Sequence, residues 1–317
     1  MVDMLFSRVQ VTFAPSVHQR LVWAVAVGLL ALCAGMSVRP ASAQPAPVPT
    51  DARAEKIADG FEFTEGPVWH EGRLLFTDIP ANRVYEWQPE AGARVFLEPS
   101  GHANGLAVGP DGHLLLAQHD GQVGRLEEGE IHALATNYDG RRLNSPNDLT
   151  VAADGAIYFT DPPYGVDEAE RELSFSGVYR LSPSGTLTLL VDSLARPNGI
   201  GLSPDGSTLY VSDSEQTVVY AYDVATDGTL RNGRRFATPR AEADGTTDGL
   251  AVDAEGHLYT TGPGGVWVYA PDGTQRARIP ISGAPTNLAF GGPKGTTLYV
   301  TAPPSVYRAP VRIPAAN

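Results

Sequence analysis

Beyond residue 54 the chain alternates short apolar runs with clusters of glycine, aspartate and proline. The runs are rich in β-branched and aromatic side chains, which is typical of β-strands joined by tight turns. No stretch in this part has the apolar periodicity of an amphipathic helix. The pattern therefore predicts an all-β fold.

The apolar runs belong to a unit that recurs six times, at intervals of 39 to 51 residues. The six units open with similar segments, namely TEGPVW from Thr64, ANGLAV from Ala103, PNDLTV from Pro146, PNGIGL from Pro197, TDGLAV from Thr247 and TNLAF from Thr286. Each opening is followed by a turn and further apolar runs. Repeats of this length with three or four strands are typical of propeller blades. We predict a six-bladed β-propeller over residues 55–317, closed by an outer strand from residues 54–60.

The N-terminal region has a different pattern. Residues 21–35 form an apolar run that Arg20 precedes, and an Ala-x-Ala sequence follows that ends at Ala43. This order is typical of a secretory signal peptide, and the run is shorter than the roughly 20 residues of a membrane-spanning helix. We expect a signal peptide over residues 1–43 and a linker over 44–54; an uncleaved anchor is the alternative.

The single cysteine, Cys33, lies within the predicted signal peptide. The exported protein would therefore contain no disulfide and no thiolate metal site. We expect it in the periplasm or outside the cell, without membrane attachment after cleavage.

The chain has 23 basic and 36 acidic residues, which gives a net charge of −13. Such a surface repels phosphate backbones, so the composition argues against nucleic acid as a partner. No protein partner is indicated, and we expect a monomer.

One position repeats its chemistry in every blade. The first strand of each blade lines the central channel and starts on the same face, and the residue at that start carries a side-chain oxygen in all six blades. We call these six the channel residues: Glu65, Asn104, Asn147, Asn198, Asp248 and Asn287. Carboxylate and amide oxygens suit a hard divalent cation, so we expect Ca²⁺ in the channel, with Zn²⁺, Mn²⁺ or Mg²⁺ as alternatives.

An asparagine before a glycine is also common turn chemistry, but its recurrence at equivalent positions favours the metal site. Asn104 and Asn287 are expected to line the pocket or to bind the metal through water. Together with Asn147 and Asp148 they make up the predicted substrate-binding set.

The second strands return to the same face, so their last residues should border the pocket. These residues are Asp78, Gln118 with the adjacent His119, Asp161 and Asp213. A neutral His119 beside the substrate is a candidate proton carrier; an ordinary hydrogen-bonding role is the alternative. We interpret Asp161 and Asp213 as strand-end caps.

Three other histidines have less prominent positions. His102 lies just before Asn104, the second channel residue, which makes it a candidate for the pocket, although a weaker one than His119. His113 and His257 fall in turns at the opposite face and are expected to be solvated. The sequence has no G-x-S-x-G elbow, which argues against a serine-triad hydrolase.

Several of these segments together resemble the SMP-30/gluconolactonase family, in particular its bacterial gluconolactonase-like branch. The resemblance rests on FTEGPVW, LLFTDIPANRVYEW, SPNDLTVAADGAIYFTDPPYG, RPNGIGLSPDGSTLYVSDS and DGLAVDAEGHLY. It implies a six-bladed propeller with a divalent cation, often Ca²⁺, and the hydrolysis of lactones or, in some relatives, organophosphates. The metal ligands that it implies are Glu65, Asn147, Asn198 and Asp248.

The resemblance also implies a mechanism, in which the cation polarises the lactone carbonyl and Asp248 activates water or attacks directly. His119 is the alternative proton carrier, and the insertion over residues 165–176 is expected to cover the pocket. We predict hydrolysis of a sugar lactone, such as a gluconolactone, to the aldonic acid. The alternatives are another lactone, an ester or a phosphotriester as substrate, or a non-enzymatic propeller that binds a sugar acid or a partner.

Overall fold

The computed structural model describes residues 46–313 and residue 315. The predicted signal peptide over residues 1–43 lies outside these residues. Within the described part, no helix is long and apolar enough to cross a membrane. The only helical element described there is a 3₁₀ turn, Glu168–Glu170.

Six four-stranded antiparallel sheets follow one another along the chain, after a first strand β1 (Glu55–Asp59). Blade 1 contains β2 (Thr64–His70), β3 (Arg73–Asp78), β4 (Arg83–Gln88) and β5 (Gly92–Leu97). Blade 2 contains β6 (Ala103–Val108), β7 (Leu114–Gln118), β8 (Gln122–Glu127) and β9 (Glu130–Ala135). A small hairpin, β10 (Asn137–Tyr138) and β11 (Arg141–Arg142), leads to the third blade.

Blade 3 contains β12 (Leu149–Val151), β13 (Ile157–Asp161), β14 (Gly177–Leu181) and β15 (Leu187–Val191). Blade 4 contains β16 (Pro197–Leu202), β17 (Thr208–Asp213), β18 (Val218–Val224) and β19 (Leu230–Ala237). Blade 5 contains β20 (Leu250–Val252), β21 (Leu258–Gly262), β22 (Gly265–Tyr269) and β23 (Gln275–Pro280). Blade 6 contains β24 (Asn287–Gly291), β25 (Thr297–Ala302) and β26 (Ser305–Pro310). The six-bladed propeller is confirmed.

The outer strand of blade 6 comes from the other end of the domain. β1 pairs antiparallel with β26, with Glu55 opposite Arg308 and Asp59 opposite Ser305. At the same seam, Trp69 of blade 1 stacks on Tyr299 of blade 6 with ring centroids 5.4 Å apart. The predicted closing strand is therefore confirmed, and it covers an edge that would otherwise be open.

The described part of the predicted linker, residues 46–54, contacts the propeller. Val48 and Ala52 are buried against blades 5 and 6. The backbone N–H of Arg312 donates to the Pro47 carbonyl at 2.9 Å. This segment adds apolar surface to the core between blades 5 and 6.

The inner strands explain the continuous apolar runs in the sequence. Every residue of β7, β13, β21 and β22 is buried, because neighbouring blades cover both faces of each sheet. The outer strands are less covered, and β19 has five consecutive exposed residues. Each fully buried aliphatic or aromatic side chain contributes about 1.5–3 kcal/mol to the free energy of unfolding.

The blades approach one another most closely at the axis. A Cβ atom on Gly66 would lie 1.9 Å from the Asn104 carbonyl oxygen, and one on Gly199 would lie 2.3 Å from the Asp248 carbonyl oxygen. The glycines that follow other channel residues with the same crowding are Gly105 and Gly249. The turn interpretation of the Asn-Gly pairs is thus wrong at these positions, because glycine is required there by the backbone of the next blade.

This crowding predicts that Gly199→Ala destabilises the protein. The added methyl group meets backbone that has no room to move, and overpacking of this kind costs about 1–3 kcal/mol. Differential scanning calorimetry should show a melting temperature lowered by several degrees. Gly201→Ala, in the same strand, is the control, because its Cβ would meet side-chain ends of Leu250 and Val252 rather than backbone. Equal losses in both variants would contradict the prediction.

Candidate active site

The starting ends of the first strands enclose a cavity of about 430 Å³. Its lining includes Glu65, Asn104, Asn147, Asn198 and Asp248, five of the six channel residues. His119 also lines it. The other lining residues are Phe63, Ile79, Pro80, Tyr164, Ser214 and Thr246. The structure therefore brings together all four predicted metal ligands and both predicted catalytic residues.

Two residues of the predicted substrate-binding set lie elsewhere. Asp148 and Asn287 line a second cavity, of about 610 Å³, at the opposite end of the channel. Asp148 Oδ1 accepts from the Leu149 N–H at 2.9 Å, and Asn287 Oδ1 accepts from the Leu288 N–H at 2.8 Å. Both residues thus line the second cavity and not the first, and their contact with substrate stays a prediction.

The carboxylates at the axis have raised pKa values. Burial is the largest cause at Glu65, Asp148 and Asp248: it raises the pKa of Asp148 to about 7, and with their mutual repulsion it holds the pKa values of the other two well above their usual range. The Gly66 N–H, which donates to Glu65 Oε2 at 2.8 Å, offsets only part of this. No lysine or arginine is among the described residues that line the cavity. The charged forms of these carboxylates thus lack a protein counter-ion.

Two oxygens among the described residues of the cavity wall have no hydrogen-bond donor. Asp248 is partly exposed to the cavity, but its Oδ1 is buried and has no partner among the described residues. Asn104 Oδ1 is in the same state. An unpaired buried oxygen is costly, because it has lost its water without gaining a donor. A cation would satisfy it. In the described part of the chain, no three His, Cys, Asp or Glu side chains are close enough to hold a metal alone, so amide oxygens would have to complete the coordination.

His119 lies in the cavity wall and is neutral at physiological pH. Burial, with a smaller repulsion from His102, lowers the pKa of His119 to about 4. Its Nε2 lies 3.1 Å from Asn104 Nδ2, so the unprotonated nitrogen accepts the amide proton. Gly165 packs on the other side of the ring. The imidazole is therefore held in one orientation as a hydrogen-bond acceptor.

The second strands fix the backbone of the channel residues across blade boundaries. Their last two residues read Thr-Asp in blades 1 and 3 and Ser-Asp in blade 4. The hydroxyl of this pair donates to the carbonyl of the channel residue in the next blade. The three bonds run from Thr77 to Asn104, at 2.9 Å, from Thr160 to Asn198, at 2.6 Å, and from Ser212 to Asp248, at 2.5 Å. Each such blade thus sets the position of its neighbour's channel residue.

The aspartates of the same pairs, Asp78, Asp161 and Asp213, are buried and accept backbone N–H groups. We call them the strand-end aspartates. Asp213 accepts from the N–H groups of Ala195 and Arg196 at 3.0 and 3.3 Å. Asp161 accepts from the Asn144 N–H at 2.9 Å, and burial raises its pKa to about 7. These contacts agree with the cap interpretation of Asp161 and Asp213.

The insertion at residues 165–176 packs against blades 2 and 3. Leu173 is buried in the core cluster of blades 2 and 3, and Glu172 accepts the Arg142 N–H. From this region only Tyr164, just before the insertion, lines the cavity. Arg196 lies over the Tyr164 ring, 5.3 Å from its centroid. The insertion was expected to cover the pocket, but only Tyr164, the residue before it, reaches the cavity wall.

The other histidines lie outside the cavity. His102 is exposed and pairs with Asp120 at 2.8 Å, and His113 is exposed near Asp111. The expectation of a solvated His257 is wrong. It is buried, and its Nδ1 lies 3.1 Å from the buried Asp253 Oδ2.

The remaining cavity wall was not identified from the repeats. Phe63, Ile79 and Pro80 give it an apolar side, whereas Ser214 and Thr246 give it hydroxyl groups. These residues precede a first strand or follow a second strand, where the repeats share no residue type. Position relative to the strand ends is the one signal that could have found them.

Comparison with known proteins places these observations in a family. The family profile described as SMP-30/Gluconolactonase/LRE-like region matches residues 63–303. Gluconolactonase from Zymomonas mobilis is 39% identical over 80% of this chain and 80% of its own length. Pentonolactonase XacC from Haloferax volcanii is 32% identical over 75% of this chain and 80% of its own length.

A solved structure gives the same result. The gluconolactonase XC5397 from Xanthomonas campestris superposes with a TM-score of 0.77 at 36% identity, over 84% of this chain and 92% of its own. The resemblance found in the repeat motifs is confirmed, and the chain belongs to the SMP-30/gluconolactonase/LRE-like family.

Proposed function

We propose that this protein is a divalent-cation-dependent lactone hydrolase, that its substrate is a sugar lactone opened to the aldonic acid, and that the cation is Ca²⁺. The observation that carries the proposal is the group of axial carboxylates with an unpaired Asp248 Oδ1 and no cationic side chain in the described cavity wall. The similarity to gluconolactonase and pentonolactonase supports the substrate class.

The donor set fits a hard cation. Glu65 and Asp248 supply carboxylate oxygens, and Asn147 and Asn198 supply amide oxygens, all in the wall of one cavity. Ca²⁺ takes mixed carboxylate and carbonyl oxygens in flexible geometry. When bound, such a cation supplies Lewis-acid polarisation of the lactone carbonyl.

Side chains of the cavity wall would orient the lactone and take a proton from the attacking water. Asp248 has two carboxylate oxygens, so one would bind the cation and the other would accept a proton from the attacking water. The hydroxyl groups of Tyr164, Ser214 and Thr246 offer hydrogen bonds to a sugar, whereas Phe63 and Ile79 offer an apolar face to its C–H groups. A cavity of about 430 Å³ holds one monosaccharide lactone with some water.

We expect Asp248→Asn to lower kcat for lactone opening about a hundredfold or more, because general-base assistance and a cation ligand are lost together. Hydrolysis of a panel that includes glucono-δ-lactone would be followed by pH-stat, with spontaneous opening subtracted, before and after chelation. Asp244→Asn, an exposed carboxylate of the same loop, should retain activity.

Activity that survives both chelation and Asp248→Asn would contradict the metal-dependent mechanism. A flat result across sugar and alkyl lactones, with metal bound, would contradict the substrate class. Phosphotriesters, other esters and sugar-acid binding would then be tested.

Cation binding should also increase the thermal stability of the protein. A ligand present at a hundred times its Kd raises the free energy of unfolding by about 2.7 kcal/mol. We expect Ca²⁺ to raise the melting temperature of the wild type and to have a much smaller effect on Glu65→Gln. Glu62→Gln is the matched control, because Glu62 is exposed three residues away. Parallel titrations with Mg²⁺, Mn²⁺ and Zn²⁺ identify the preferred ion; no response to any of the four would contradict the site.

The role of His119 is tested by its pH dependence. Since burial lowers its pKa to about 4, His119 does not change charge between pH 5 and pH 8. We expect His119→Gln to lower kcat/KM about tenfold, because the bond to Asn104 is perturbed, and to leave the pH profile in that range unchanged. Loss of a limb of the profile near pH 6 would instead identify His119 as a proton carrier.

A further inference from the structure

The strand-end aspartates accept backbone N–H groups from the segments that enter blades 1, 3 and 4. Asp78 Oδ1 accepts from the Phe63 N–H at 2.9 Å, and its Oδ2 accepts from the Glu62 N–H at 3.1 Å. Asp213 accepts in the same way, from the Ala195 and Arg196 N–H groups. Asp161 accepts only the Asn144 N–H, through Oδ2, and its buried Oδ1 has no partner among the described residues. Each carboxylate thus holds the backbone just before a first strand.

The held backbone lies two or three residues before a predicted metal ligand. Phe63 precedes Glu65 by two positions, and Arg196 precedes Asn198 by two; Asn144 precedes Asn147 by three. At this distance along an extended chain, a shift of the held N–H moves the ligand oxygen by a comparable amount. The three carboxylates themselves do not line the cavity.

The contact occurs in three of the four blades that carry a predicted metal ligand; blade 5, which carries Asp248, lacks it. Blades 5 and 6 form the same four-stranded sheets with Gly262 and Ala302 at the equivalent position. In blade 2 the position is Gln118, which donates to the Ser100 carbonyl instead. A propeller blade therefore does not need the carboxylate in order to form.

From these contacts we infer that Asp78, Asp161 and Asp213 are positioning residues of the cation site: they set the side chains of Glu65, Asn147 and Asn198 at coordination distance by fixing the incoming backbone. The inference rests on the metal site proposed above. Hydrogen bonds to an ionised carboxylate are stronger than neutral ones, and partners that orient ligands typically change metal affinity 10- to 100-fold when mutated.

Asp213→Asn tests this with little change in shape. Asp213 Oδ1 accepts from Arg196, Glu215 and Gln216, and Oδ2 accepts from Ala195 and from the Gln216 side chain. Whichever way an amide is turned, its NH₂ group faces donors. We expect the Kd for Ca²⁺, measured by isothermal titration calorimetry on the folded variant without substrate, to rise about tenfold or more.

The matched control lies at the other end of the same hairpin. Asp205 Oδ1 accepts from the Ser203 hydroxyl and from the N–H and hydroxyl of Ser207. These bonds lower the pKa of Asp205 to about 2, so Asp205→Asn should also destabilise blade 4. We expect it to leave the Kd for Ca²⁺ unchanged, which separates positioning from general stability.

The outcomes are distinct from those that test the function. A wild-type protein that binds none of Ca²⁺, Mg²⁺, Mn²⁺ and Zn²⁺ would overturn the metal site itself. Wild-type affinity in Asp213→Asn, or an equal loss in Asp205→Asn, would overturn the positioning role alone. If Asp213→Asn does not fold, Asp78→Asn takes its place with the same expected loss. Failure of both to fold would assign the carboxylates to stability and overturn the inference.

Discussion

The close approach of six backbones at the propeller axis is the constraint on which the rest of the structure depends. The carbonyl of one channel residue lies where a neighbouring Cβ would be, so Gly66 and Gly199 have no substitute with a side chain. The same proximity allows a hydroxyl such as Thr160 to reach the next blade's carbonyl. Crowding and hydrogen bonding therefore act on the same atoms, and they hold the side chains that point into the cavity in a rigid ring.

This rigidity has an electrostatic consequence. Flexible carboxylates would turn toward water, but Glu65 and Asp148 are held where burial raises the pKa of both, and repulsion from Asp148 adds to the increase at Glu65. Burying like charges in this way is unfavourable unless a cation neutralises them. The propeller tolerates this unfavourable burial of carboxylates because its stability comes from the six apolar cores between blades, which lie farther from the axis. A site of this kind is thus poorly satisfied alone and suited to a divalent ion.

Much of this arrangement could be predicted from the sequence, because it repeats. Six openings with an oxygen-bearing residue at one position predicted the blades, the closing strand and five of the residues around the cavity. Features that occur once were missed. His257 lies in a segment, EGHL, that resembles the DGHL turn of blade 2. The residue four positions earlier differs, however: the buried Asp253 contacts His257, whereas Gly109 precedes His113. The depth of Asp148 and Asn287 depends on side-chain direction, which a pattern of residue types does not specify.

The six channel residues are not held in the same way, and Asp248 differs from the others. Asp248 lies in a blade without a strand-end aspartate, yet its backbone is held at both ends: its N–H donates to Thr261 Oγ1 at 2.8 Å, and its carbonyl accepts from Ser212. Its Oδ1 has no described partner. Glu65 differs, because its carboxylate already accepts the Gly66 N–H. A residue that must both bind a cation and take a proton needs a fixed backbone and a free oxygen, and Asp248 combines the two.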